Sequence, residues 1–137
     1  MIKKTTTPAK IRTQYLKVIL YLLNEFDHQK HSKHDTLDLI GLIYLTLLEV
    51  EKTMSATTLP WEKRGFWIKV EHFNEEWKWV VECKRSFVEA YQQNQWCENP
   101  EIPIRLLKDK LKEQTPLKAT KQKIWPGAYS KAKALIK

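Results

Sequence analysis

Between Pro60 and Gln95 the chain carries four of its six tryptophans (Trp61, Trp67, Trp77 and Trp79), together with Phe66, Phe73, Phe87 and Tyr91, and a single glycine. At about 100° per residue, Phe66, Val70, Phe73, Trp77, Val80, Phe87, Val88 and Tyr91 fall on one stripe. Trp61, Ile68, Trp79, Cys83 and Ala90 make a second, thinner stripe, and Arg64, Glu71, Glu75, Lys78, Glu82 and Glu89 lie between the two. A strand alternates with period two and cannot sort these residues in this way. The stretch therefore predicts one long helix over about 60–95, apolar on two faces and the spine of an all-helical fold. If Gly65 breaks it, a turn occupies 60–65 and the helix proper starts at Phe66. Lys78, Glu82, Arg85 and Glu89 read as a solvated salt-bridge ladder on its flank.

The flanking segments extend the helical pattern. Thr7-Pro8 is a helix start, a hydroxyl cap followed by proline where its missing N–H costs nothing. Ile11, Tyr15, Val18, Ile19, Leu22 and Phe26 then define a helix of about 8–29. Asp35 or Thr36 is expected to cap a helix of about 36–53 that is apolar almost all round, hence central, with a connector from Met54 to Leu59. Asn99-Pro100 ends the spine, and a helix of about 102–113 carries Ile104, Leu107 and Leu111. A basic segment follows, then a Pro126-Gly127 turn and a short helix from Ala128 to Ile136. The expectation is one all-α domain over 1–137, a bundle of about five helices with a basic segment at 114–137.

Charge is distributed unevenly. The chain carries 24 Lys and Arg against 16 acids, for a net charge of +8. Residues 1–34 sum to +5, residues 35–58 to −3, 59–99 to −1 and 100–137 to +7, and no acid follows Glu113. Two basic ends around a near-neutral middle point to a polyanion, nucleic acid ahead of an anionic membrane. The candidate contacts are Lys10, Arg12 and Lys17 on the first helix, Arg105, Lys108 and Lys112 on the fourth, and Lys118, Lys121, Lys123, Lys131 and Lys133 beyond it. Twenty of the 24 cations are lysine, which suits phosphates and not bidentate base readout, so sequence-independent binding follows. Single-stranded DNA or RNA is favoured, because Trp125 and Tyr129 could stack on unpaired bases. For Trp125 itself a core anchor is the expected role.

No catalytic constellation stands out. His28, His31 and His34 are spaced by three, but no second cluster completes a ligand set, and the run reads as a solvated connector. His34-Asp35 matches a pair used by metal-dependent phosphohydrolases, whose ligands come from separate helices, whereas here all candidates crowd one stretch. Arg64 and His72 stand too far apart for a helical ribonuclease pair, and the adjacent Glu75 and Glu76 face different directions. Gly-rich phosphate loops and the CxxC, HExxH and GxSxG patterns do not occur. No enzyme activity, metal or cofactor is expected. The apolar runs Tyr15–Leu23 and Leu39–Leu48 are half the length of a bilayer span, and two thiols without a disulfide framework suit a reducing compartment. A cytoplasmic protein with no membrane partner is the expectation.

In size, charge and helix content the chain resembles the small helical subunit of CRISPR effector complexes, although no diagnostic motif is matched and no residue is carried over. The resemblance implies a non-enzymatic subunit that holds nucleic acid through lysines and arginines beside other subunits, including copies of itself. On that reading Trp61, Ile68, Trp79 and Cys83, the second stripe of the spine, are the candidate protein interface. A helical protein-interaction domain with an incidental basic tail is the alternative.

Overall fold

A computed structural model describes residues 7–28, 32–98, 100–112 and 124–136, with the backbone alone at His28, Cys97 and Glu98. Among them the chain is all-α: α1 (Pro8–His28), α2 (Lys33–Lys63), α3 (Trp67–Gln92), a single turn α4 (Gln95–Glu98), α5 (Glu101–Leu111) and α6 (Ala128–Ile136). No described helix is long and apolar enough to cross a membrane.

The start of α1 follows from its cap: Thr7 Oγ1 accepts the N–H of Lys10 at 3.2 Å and Pro8 takes the first helical position. The cap of α2 is neither Asp35 nor Thr36. Ser32 supplies it, its Oγ accepting the Asp35 N–H at 3.1 Å, and Asp35 sits in the first turn where the macrodipole favours it. At its other end α2 runs through the expected connector to Lys63, which makes it the longest helix at 31 residues against 26 for α3. The threonines of that extension satisfy their hydroxyls locally: Thr53, Thr57 and Thr58 turn them back onto the Val50, Thr53 and Ser55 carbonyls.

The spine of 60–95 is therefore two elements, and Gly65 is the break. The Phe66 N–H reaches back to the Trp61 carbonyl at 2.9 Å and the Gly65 N–H to the Glu62 carbonyl at 3.0 Å. This is a Schellman closure, which needs a left-handed residue just past the helix, and Gly65 has φ of +76°. Pro60 sits inside the last turns of α2 instead of opening α3.

α2 is the axis of the bundle. Leu39, Ile40, Ile43, Leu47 and Val50 are wholly buried along it, packed among Ile19 and Leu22 of α1, Val80 and Phe87 of α3, and Ala132 of α6. α1, α3, α4 and α6 all pack on α2, and α5 bridges α1 and α3. The α2–α3 hairpin is antiparallel, tied by Lys84–Glu51 at 2.9 Å and by Tyr44 against Phe87 at 6.5 Å between ring centres. At the end of α3, Trp96 folds back and its indole N–H donates to the Phe87 carbonyl at 2.7 Å. That bond ties the turn after α3 back onto the helix and leaves Trp96 edge-on to Tyr91 and Tyr129.

Candidate nucleic-acid interface

The three cations predicted for α1 separate. Lys10 is exposed in the first turn and Lys17 is half-buried. Arg12 faces inward with 6% exposure and is no surface phosphate ligand in this fold. Its guanidinium donates to Thr57 Oγ1 at 3.1 Å, to Thr53 Oγ1 at 3.4 Å and to the Thr53 carbonyl at 3.5 Å. Its flat face lies 4.8 Å from the Trp77 ring centre and 5.1 Å from that of Phe73. One side chain thus joins α1 to α2 and α3. Desolvation draws the Arg12 pKa down, and the negative charge of Glu76 partly opposes that shift.

On α5 the stripe of Arg105, Lys108 and Lys112 is exposed, and each member has an acid beside it. Lys108 reaches across to Asp27 of α1 at 2.7 Å. Arg105 and Lys112 face Glu101 and Asp109 on their own helix at 3.9 and 3.8 Å, distances at the edge of ion pairing between exposed groups. Lys108 is committed to holding α5 against α1, while the other two remain accessible to an anion.

The C-terminal cations divide by where they are described. Lys118, Lys121 and Lys123 lie outside the described residues, whereas Lys131 and Lys133 project from α6 into solvent. Their platform is firmly seated. Asp38, 2% exposed on α2, accepts the Tyr129 N–H at 3.0 Å, supplying a carboxylate to the first turn of α6. Gly41 lets the two backbones meet: a Cβ there would stand 2.8 Å from the Tyr129 Cα and N. Trp125 and Ala132 are buried beside the contact, as a core anchor for Trp125 requires. The Lys133 ammonium lies 5.9 Å from the Tyr129 ring centre.

The predicted protein interface does not hold together as one face. Cys83 is buried in the core, and burial first, then the charge of Glu82, pushes its thiol up to about 12 against a smaller pull from Lys110. Trp61 and Trp79 are half-buried in a row of rings, Trp61–Phe73–Trp77–Trp79, with centres 5.7 to 6.1 Å apart. Ile68 alone is fully open, at 73%. It is joined by Leu59 (49%), Phe66 (48%) and Trp67 (61%), none of them assigned to a surface by periodicity. Gly65 was the available signal. Once the chain turns there, residues either side of it are a hairpin tip and no longer part of a stripe. A second apolar patch, Ile102 and Leu106 on α5, borders a shallow hollow of about 440 Å³ with Glu101, Arg105 and Asp109.

Of the histidine candidates, His34 has a structural partner. His34 Nε2 lies 3.4 Å from Asp38 Oδ2, beside the carboxylate that seats α6. His31 is outside the described residues, and among those described no three His, Cys, Asp or Glu side chains cluster closely enough to hold a metal ion. His72, Glu75 and Glu76 are exposed on α3. Lys78 pairs back to Glu75 at 2.8 Å, and Glu82, the next member of the expected ladder, acts on it as a weaker charge. Comparison with family models, curated proteins and solved structures returns no match.

Proposed function

We propose that this chain is a non-enzymatic, sequence-independent nucleic-acid-binding subunit of a multi-subunit ribonucleoprotein or defence complex, of the kind the small helical CRISPR subunits exemplify. The observation that carries the reading is the acid-free run after Glu113, which holds six lysines and ends in a helix pinned to the central one. Exposed lysines on a fixed platform bind a polyanion at less entropic cost than the same lysines on a free tail. Arg105, Lys112 and Lys10 add accessible cations on α5 and α1, whereas Arg12 and Lys108 are occupied in holding helices together. Mostly lysine contacts engage phosphates without reading bases. Ile102 and Leu106 supply an exposed apolar patch on which a neighbouring subunit can sit, and that patch is what favours an interaction domain as the second reading.

Salt titration of binding to single- and double-stranded oligonucleotides tests the proposal. Affinity is expected to fall steeply and linearly on a log–log plot, with the same slope for scrambled sequences. No binding at about 50 mM salt would sink it. Truncating the chain at Glu113 is a poor control, because Trp125, Ala128 and Ala132 leave the core with the tail.

A further inference from the structure

The α2–α3 hairpin ends in a tip that neither basic end explains. Leu59, Phe66, Trp67 and Ile68 are each about half exposed or more, and within the same eleven residues lie Lys63, Arg64 and Lys69, all exposed, against one acid, Glu62. A shallow groove bordered by Gly65, Phe66, Trp67, Ile68, Lys69 and His72 runs along it. Contiguous large apolar side chains of this kind are rarely left facing water without an occupant. Beyond the tip the shaft of α3 changes sign: Glu71, Glu75, Glu76, Glu82 and Glu89 are exposed and outnumber Lys78, Lys84 and Arg85.

We propose that this tip docks end-on to an anionic lipid surface, with Trp67 and Ile68 entering the interface and Lys63, Arg64 and Lys69 meeting the headgroups. Three features select this occupant. Leu59 and Ile68 have no π-face to stack on a base, but aliphatic side chains enter the acyl boundary readily. Tryptophan and phenylalanine favour the headgroup depth, and each lysine or arginine near a negatively charged leaflet adds attraction. The change of sign along α3 allows a negatively charged plane to approach the tip alone; a nucleic-acid strand laid along the hairpin would run onto the glutamates. No membrane-spanning helix is needed for such contact, and no described helix is long and apolar enough to be one. The inference is independent of the nucleic-acid reading, which uses other residues.

The test is flotation of the full chain with vesicles of pure phosphatidylcholine and of phosphatidylcholine containing roughly a third phosphatidylserine. Binding to the anionic vesicles alone is expected, with part of the tryptophan fluorescence quenched by brominated acyl chains. Trp67→Phe should keep the binding and lose most of that quenching, since the fold leaves Trp67 the most exposed of the described tryptophans. Trp67→Glu with Ile68→Glu should weaken vesicle binding roughly tenfold or more while leaving the thermal melt and oligonucleotide binding intact. Four results overturn the proposal: no flotation, equal flotation with neutral vesicles, flotation unchanged in the double variant, or equal loss of oligonucleotide binding in it. The third would assign adsorption to the basic ends, and the last would make the tip a nucleic-acid surface.

Discussion

Arg12 stands four residues before Leu16 and seven before Ile19, both buried, so the helical repeat places it on the core face of α1. Periodicity draws that face through Ile11, Tyr15, Val18, Ile19, Leu22 and Phe26; Ile19 and Leu22 are buried, the other four are half-buried, and Arg12 is left off it among the surface cations. An arginine on an apolar stripe is a signal in its own right: charge says nothing about direction, and position in the repeat does. Arg12→Gln is expected to cost ~1–3 kcal/mol through lost stacking and hydrogen bonds, because Thr53 and Thr57 keep backbone partners without it. Melting temperature should fall while oligonucleotide affinity holds, and Lys10→Gln should do the reverse. Cys83 makes a pH prediction. Its thiol ionises near 9.0 when solvated and about 12 in the fold. Between those values the unfolded state binds fewer protons than the native one, so stability falls as pH rises from about 9 toward 12. Cys83→Ala should flatten that alkaline decline in denaturant midpoints, while native protein should react with thiol reagents only as fast as it opens.

At the scale of elements, two glycines act for opposite reasons, and substitution separates them. Gly65 has open space around it and a left-handed backbone, so Gly65→Ala should cost ~1–2 kcal/mol from strain alone, and Gly65→Asn less. Gly41 has an ordinary helical backbone and no space, so Gly41→Ala should cost ~1–3 kcal/mol by forcing α6 away from α2. Chemical denaturation gives both numbers. Only Gly41→Ala should also shift Trp125 emission to the red, because Trp125 is buried and its carbonyl accepts the Ala128 N–H at the start of α6, at 3.0 Å. Helix existence and the centrality of α2 were legible, because a helix apolar all round has to be surrounded. Boundaries were less so. The threonines of 53–58 look like a connector until Arg12 is seen to bind them from α1. Pro60 looks like a helix start until Gly65 closes the helix five residues later. Each error has one cause: the deciding interaction came from another element or from a turn, and neither has a period.

For the molecule as a whole, the unequal charge of ends and middle was readable from sequence, but its grouping in space was not. Of the two basic regions, the first loses Arg12 to the core, and the second spends Lys108 on Asp27 and faces Arg105 and Lys112 with acids. Besides Lys10 on α1, the exposed cations left in the described part of these basic ends include Lys131 and Lys133, two residues apart on a nine-residue helix. Their spacing sets them about 160° apart around the axis, so a single strand cannot be gripped by both from one side unless it crosses the helix end. The masking of charge by local acids also predicts how binding responds to reversal. Lys131→Glu and Lys133→Glu singly should each reduce oligonucleotide affinity and lower the salt slope by roughly 0.7–0.9 where one phosphate contact is lost. Lys108→Glu should mainly weaken the fold through its clash with Asp27, at ~1 kcal/mol, with little change in slope. If the two α6 reversals add, the strand touches both lysines and must wrap the C-terminal helix. If one is silent, the contact surface lies on a single side of α6, toward whichever neighbour carries the remaining cations.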